Sequence, residues 1–513
     1  MIARTYTATI QGIVPILVEV EASASLSDNS VITIVGLPDV AVKEARERLK
    51  PALLNSGSNP LNESIIVNLA PADIRKEGPS FDLPMAIAIL GATAQINSPL
   101  LRDHLFSGEL ALDGTLRPIR GALSMALCAK NQGKKGIFLP AENAMEAAIV
   151  SGVNVYPAKN LAQIMAHLRG EQFIEPVKQD FSSVFSTSSS ELDFADVRGQ
   201  ESAKRALEVA AAGGHNILLI GPPGTGKSML SKRIPSILPP LTFDEAIEVT
   251  QIHSVAGLLK PEEPLITTRP FRSPHHTASS AGLLGGGSYV PSPGEITLAH
   301  HGVLFLDELP EFKRSTLETL RQPLEEGIVS ISRTSGTFIF PAQFMLVAAM
   351  NPTPDGKMPH QSRSNPLQIQ NYLGRISGPL LDRIDLHIEV PAVSFQSISS
   401  QPTNCETSAQ IRERVIAARQ IQTQRFAGSP HITCNARMRS RELGKFAVLD
   451  DDCLNILKMA MDENHFSARA YDRIRKVART IADLDHSENI CPQHVMEASQ
   501  YRNLDRQIWD FRG

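Results

Sequence analysis

The chain has 513 residues, 42% hydrophobic and 20% charged. That excludes a disordered chain and, at about 150 residues per domain, leaves room for about three folded units. Fifty Lys and Arg against 54 Asp and Glu give a formal net charge of −4. This excludes a histone-like polycation, but not a local basic channel.

No stretch approaches the ~18 apolar residues of a membrane helix, and the start, MIARTYTATIQG, lacks the apolar core of a secretion signal. The five cysteines (Cys128, Cys405, Cys434, Cys453 and Cys491) never stand at C-x-x-C spacing. A reduced, cytoplasmic protein without a disulfide framework is expected.

In chain order, residues 1–170 read as an α/β unit. Ile65–Leu69 is a strand, and Leu83–Ala94 is an apolar helix led by Pro84. Asp113-Gly114 predicts a hairpin between Leu105–Leu112 and Thr115–Ile119. A helix over Ala122–Asn131 and a strand over Gly136–Leu139 follow. The polar, serine-rich residues 171–194 read as a linker. Residues 195–393 form a second α/β unit. Its apolar runs His215–Ile220, Val303–Leu306 and Met345–Met350 suit a parallel sheet covered on both faces. Residues 394–513 are helical by pattern, as in Ala409–Ala427 and Ala468–Leu484.

Gly221-Pro222-Pro223-Gly224-Thr225-Gly226-Lys227-Ser228 follows the first of those runs and opens a helix, the context a P-loop requires. Backbone N–H groups and the helix N-terminus favour phosphate oxygens, Lys227 reaches the terminal phosphates, and Ser228 offers a hydroxyl to Mg²⁺. Val303–Leu306 ends in Asp307-Glu308, where Asp307 can join the Mg²⁺ shell and Glu308 can polarise a water. Asn351 ends the third run and can orient that water or the γ-phosphate. ATP and Mg²⁺ are therefore the expected ligands, with ATP hydrolysis the expected chemistry.

These motifs resemble the AAA+ ATPases. FRSPHHTASSAGLLGGG, PSPGEITLAHHGVLFLDELPEF and YLGRISGPLLDRIDLHIEV are similar to the magnesium-chelatase-type group, and the whole chain resembles the ComM/YifB family. The resemblance implies a Lon-protease-like N-terminal domain, an AAA+ core with a parallel sheet, and a C-terminal helical lid. It also implies a ring, expected to be a hexamer, that hydrolyses ATP and acts on single-stranded and branched DNA in branch migration. By resemblance Arg383 matches an arginine finger that reaches a neighbour's ATP; a surface pair with Asp382 or Asp385 is the alternative. Arg469 and Arg473 resemble the second sensor, against a solvated basic helix face.

Two elements are candidates for DNA. One is the segment Ser273–Pro293 with its Gly285-Gly286-Gly287 turn. The other is a hairpin, Ile328–Ser332 and Thr337–Pro341, with Arg333 and Thr334 at its tip. An ordinary exposed hairpin arginine remains open. The pairs His275-His276 and His300-His301 are expected to point opposite ways along extended chain and to serve packing or loop roles.

Many members of the family carry two thiol pairs where this chain has Thr353, Asp355, Ser362 and Ser364. No structural zinc is expected, and the loop must be mobile or held by packing alone. In the Lon-like domain, Leu123 stands where a protease would place its lysine base, so Ser80 is expected to serve as a helix-entry residue. The domain then reads as a non-proteolytic scaffold. The competing function is an ATPase motor that remodels a metal-chelatase or other protein partner. The Lon-like half is taken to count against it.

Overall fold

The structure is a computed structural model. It describes residues 1–27, 31–178, 192–260, 262–287, 289–334, 336–358, 361–392, 406–429, 431–464 and 467–502. Cys405, Ser335 and most of the expected linker lie outside the described residues.

The chain forms two compact units. One comprises Met1–Thr187, Phe243–Ile266 and Tyr289–Ser292; the other comprises Ser188–Thr242, Thr267–Ser288 and Pro293–Gly513. The units therefore cross the sequence segments 1–170 and 195–393. The helix Phe243–Ala256 belongs to the first unit because its Ser254 hydroxyl bonds the buried Glu146 carboxylate and its Gln251 amide donates to the Ile13 carbonyl at 2.9 Å.

The first unit is built on a seven-stranded mixed sheet. Its strands are β1 (Ile2–Gln11), β2 (Val14–Leu26), β3 (Ile32–Val35), β4 (Glu63–Ala70), β5 (His104–Phe106), β8 (Gly136–Pro140) and β9 (Asn154–Ala158), in the order β3-β4-β2-β1-β5-β8-β9. The apolar helix Asp82–Ala92 is buried along its whole length. Its Asp82 carboxylate takes two bonds from Arg48, at 2.9 and 3.0 Å, which offsets the cost of burying a charge there.

The hairpin expected around Asp113-Gly114 is shorter than its apolar runs. Only β6 (Glu109–Leu110) and β7 (Leu116–Arg117) pair. His104–Phe106 joins the main sheet as β5, because the Ser107 and Gly108 N–H groups bond to Phe138 and Ser80 and break the run. Ser80 lies in the short turn Pro79–Phe81 that leads into the apolar helix. Leu123 is buried and donates its N–H to Glu146.

The second unit holds the parallel sheet that the continuous apolar runs predict. Its strands β10 (Ile217–Ile220), β11 (Phe271–Arg272), β14 (Val303–Leu306), β17 (Met345–Met350) and β18 (Leu386–Glu389) stand in the order β11-β14-β17-β10-β18. The two-residue strands β12 (Gly285–Gly286) and β13 (Ser292–Pro293) lie between β11 and β14 in the chain, and β15 (Ile328–Arg333) and β16 (Gly336–Pro341) form the separate hairpin. The helices Ser408–Arg425 and Ala468–Leu484 share one apolar core with β10 and β17. Among the described residues, no helix is long and apolar enough to cross a membrane.

Candidate nucleotide site

The order β14-β17-β10 sets three strand ends side by side. β10 runs into the P-loop, β14 into Asp307-Glu308, and β17 into Asn351. Parallel strands put all three at one edge of the sheet, where open α/β sheets place their ligands.

The P-loop needs its glycines for different reasons. A Cβ on Gly221 would lie 2.2 Å from the Val390 carbonyl, so only hydrogen fits. Gly226, at φ 90°, turns the chain into the helix Lys227–Ile237. Lys227 is buried within this turn. Its Nζ donates to the carbonyls of Gly221 (2.7 Å) and Pro222 (2.8 Å) and to Asn351 Oδ1 (3.2 Å). Burial lowers its pKa, and the charge of Asp307 opposes that.

Ser228 Oγ donates to Asp307 Oδ2 at 2.6 Å. A hydroxyl beside a carboxylate is a hard oxygen set of the kind Mg²⁺ takes. The residues present therefore fit the ion. Glu308 follows in the left-handed region, at φ 52°, which is uncommon for a residue with a Cβ. Its carboxylate is half-exposed and lies 3.2 Å from His276 Nδ1.

That contact corrects the expectation for the histidines. The His275 and His276 rings lie 4.0 Å apart and tilted by 35° rather than pointing apart, and those of His300 and His301 lie 3.9 Å apart. Chain turns rather than extended backbone set their directions; His301 has φ 55°. Two further residues bear on the site without a sequence signal. Gln200 Nε2 ties the Thr225 carbonyl (3.3 Å) to that of Pro391 (2.6 Å), and Tyr372 donates to the Asn351 carbonyl at 3.4 Å.

The loop after Asn351 is not held by packing alone. Asp355 accepts from Thr353 Oγ1 (2.6 Å), Ser362 Oγ (2.8 Å) and the Arg363 N–H (2.9 Å). The Thr353 bond, then the other two, hold this carboxyl well below the usual range. Three of the four positions that carry thiols in the resembling family thus meet in one hydrogen-bonded cluster; the fourth, Ser364, donates its N–H to Ser362 Oγ at 3.1 Å. The neighbouring Gly356 leans on Pro223, where a Cβ would come within 2.6 Å of the ring.

The arginines lie elsewhere. Arg383–Asp385 immediately precede β18, and Asn216, which precedes β10, accepts from the Asp385 N–H and donates to the Arg383 carbonyl, both at 2.9 Å. β10 and β18 pair in parallel from Ile217↔Leu386 to Ile220↔Glu389. Arg383, three residues before β18, is thus at the sheet edge opposite the P-loop. It pairs with Glu325 rather than with Asp382 or Asp385.

Arg469 binds Asp382 at 3.1 Å, and Arg473 binds the buried Asp385, which also takes His215 Nδ1 at 3.0 Å. Burial, the largest single influence, pushes the Asp385 carboxyl up, but Arg473, His215 and Lys476 together outweigh it and hold the carboxyl low. Burial keeps His215 below its ordinary value. Within one chain, then, neither sensor candidate is brought to the P-loop.

At the β15–β16 hairpin, Val329, Ile331, Phe338 and Phe340 point inward, while Ser330, Ser332, Thr337 and Ile339 point out. Arg333 and Thr334 are exposed at its tip.

Comparison with known proteins agrees with this geometry. Family models described as "Magnesium chelatase, subunit ChlI", "Subunit ChlI of Mg-chelatase" and "Magnesium chelatase, subunit ChlI C-terminal" match residues 193–398, 18–143 and 405–502. The competence protein ComM of Haemophilus influenzae is 44% identical over 512 residues, 98% of each chain. The chain belongs to the ComM/YifB family of magnesium-chelatase-type AAA+ proteins. YifB of Salmonella typhimurium is 45% identical over 494 residues, covering 96% of this chain and 95% of that one. A Lon protease of Rhizobium meliloti is 30% identical over 113 residues, 21% of this chain and 14% of that one.

Proposed function

We propose that this protein is an ATP-driven DNA translocase, working as a ring, with a hexamer the expected form, that promotes branch migration. The observation that carries the proposal is the division of one hydrolytic site between two sheet edges. The P-loop, Asp307, Glu308 and Asn351 share one edge, while Arg383 stands at the other, which supports its serving the nucleotide of a neighbouring subunit rather than its own. On this reading a second copy supplies the finger.

ATP is the substrate of this reading. Backbone N–H groups of Gly224–Ser228 cradle its phosphates, and Lys227 exchanges the carbonyls that now hold it for phosphate oxygens. Ser228 and Asp307 would hold Mg²⁺, which supplies charge neutralisation at the phosphates when bound. Glu308 accepts a proton from the attacking water, and Asn351 orients that water or the γ-phosphate. The partner subunit's finger offsets charge developing on the γ-phosphate. Arg469 and Arg473 join the finger's edge and act across the same interface.

DNA enters through the hairpin. Six copies of Arg333, with Thr334, would ring a channel and meet phosphates without reading sequence. The likeness to a competence protein supports a role on DNA, and on this reading the protein works in the cytoplasm. The test is movement of a synthetic branched junction by the assembled protein, dependent on ATP and lost in Glu308→Gln. An unmoved junction under conditions of ATP turnover would refute it.

One observation favours the second reading, a motor for a chelatase or other protein partner. All three family models carry the chelatase description, including that over residues 18–143, so the N-terminal half does not by itself argue against it. Stimulation of the ATPase by DNA separates the two.

A further inference from the structure

Arg383 must leave its own chain to act, yet only 13% of its side chain is exposed. One terminal nitrogen donates to the Pro379 carbonyl at 2.6 Å, the other pairs with Glu325, and Nε is buried without a hydrogen-bond partner. An unsatisfied buried donor is costly, so this guanidinium is held in a place that does not fully suit it. Its main charge partner is Glu325, whose hydrogen bond and then whose charge interaction with Arg383 keep that carboxyl low; Arg469 and Arg321 also face it. Glu325 itself is 65% exposed. A pair with one member open to water is weak and easily exchanged, as a release catch requires.

Glu325 also has a particular place in the chain. It lies on the last turn of the helix Arg321–Glu326, which closes at Gly327 and passes directly into β15. The Gly327 N–H bonds the Pro323 carbonyl at 2.9 Å, and the Ala342 N–H, just past β16, bonds the Gly327 carbonyl at 2.8 Å. Pro323 is buried, and the β15–β16 ladder runs unbroken from Ile328↔Pro341 to Arg333↔Gly336. The hairpin and the end of this helix are thus one hydrogen-bonded piece, with Arg333 at one end and Glu325 at the other.

We propose that Glu325 is a positioning residue that holds Arg383 withdrawn, and that a nucleic-acid strand loading the β15–β16 hairpin shifts Glu325 and releases Arg383 to the neighbouring subunit. The inference rests on the translocase reading. It makes the DNA contact and the finger two ends of one lever, so that ATP turns over faster when the hairpin is engaged.

The test is steady-state ATP hydrolysis by the assembled full chain, with and without single-stranded DNA, in wild type, Glu325→Gln, Glu325→Asp and Glu325→Gln/Arg383→Ala. Glu325→Gln should raise the DNA-free kcat about fivefold, the scale of one weak charge pair, with KM for ATP unchanged and the stimulation by DNA reduced to match. Glu325→Asp keeps the charge and should keep most of the DNA dependence. The double variant should be inactive, since there is no finger to release. A Glu325→Gln protein with the wild-type DNA-free rate and wild-type stimulation overturns the proposal, as does a lowered kcat with a raised KM. Wild-type protein that DNA does not stimulate overturns the translocase reading and the trigger with it. The hold is read separately, from the DNA-free kcat of Glu325→Gln.

Discussion

Asn351 Oδ1 accepts a hydrogen bond from Lys227 Nζ at 3.2 Å, which joins the end of β17 to the P-loop across the strand boundary with β10. On the proposed reading the two residues act on the same phosphate. Lys227→Ala should abolish nucleotide binding, because the terminal phosphates lose their cation. Asn351→Ala should retain binding within about tenfold while lowering kcat, and equilibrium titration with a fluorescent ATP analogue beside turnover measurements separates the two. Equal loss of affinity in both would remove Asn351 from the γ-phosphate.

Glu308 is held at φ 52° with its carboxylate 3.2 Å from His276. Glu308→Gln keeps shape and removes the proton acceptor. Turnover should fall by ~10²–10⁴ with nucleotide still bound, trapping an ATP-loaded assembly visible by sedimentation. Turnover at the wild-type rate would contradict its role as the base.

Asp385 anchors Arg473 and His215 between the sheet and the lid helix Ala468–Leu484. Asp385→Ala leaves the partly buried Arg473 guanidinium and the buried His215 without their carboxylate and should cost about 3 kcal/mol, read by urea unfolding. Both depressed groups carry the same sign. An Asp below its ordinary pKa contributes stability at neutral pH that is lost in acid. A His held neutral destabilises the fold once the unfolded chain can take the proton, below about pH 6.5. Wild-type stability should therefore decline from there downward, and less steeply in His215→Asn.

Much of the site was legible in the sequence because each part is local. A Gly-rich turn after an apolar run, two carboxylates at a strand end and an Asn at another need only short-range pattern, and the order β14-β17-β10 brings them together. What was not legible depends on packing between distant segments. His276 faces Glu308 because a turn, not extended chain, carries it. Arg383 pairs with Glu325 rather than with a neighbour in LLDRID. Phe243–Ile266 leaves its sequence neighbours for the first unit, held there by Ser254 on Glu146. The hairpin at Asp113-Gly114 was found, but not that His104–Phe106 belongs to the main sheet.

Asp355 gathers Thr353, Ser362 and Arg363 beside the P-loop. Asp355→Ala should loosen the turn at Gly356 that leans on Pro223 and raise KM for ATP by about threefold to tenfold with kcat little changed. Metal analysis of protein purified without chelator should find well under one zinc per chain, since hydroxyls and one carboxylate are poor zinc ligands. Stoichiometric zinc would overturn this account of the loop.

The central claim, that ATP turnover drives movement on DNA, is tested most directly by the ATPase rate of the wild-type protein with and without single-stranded and branched DNA at low salt. The account predicts binding with little sequence preference, a steep loss of affinity as salt rises, and stimulation of turnover that weakens in Arg333→Ala while DNA-free hydrolysis is unchanged. A wild-type assembly that hydrolyses ATP yet neither binds DNA nor responds to it would contradict the claim.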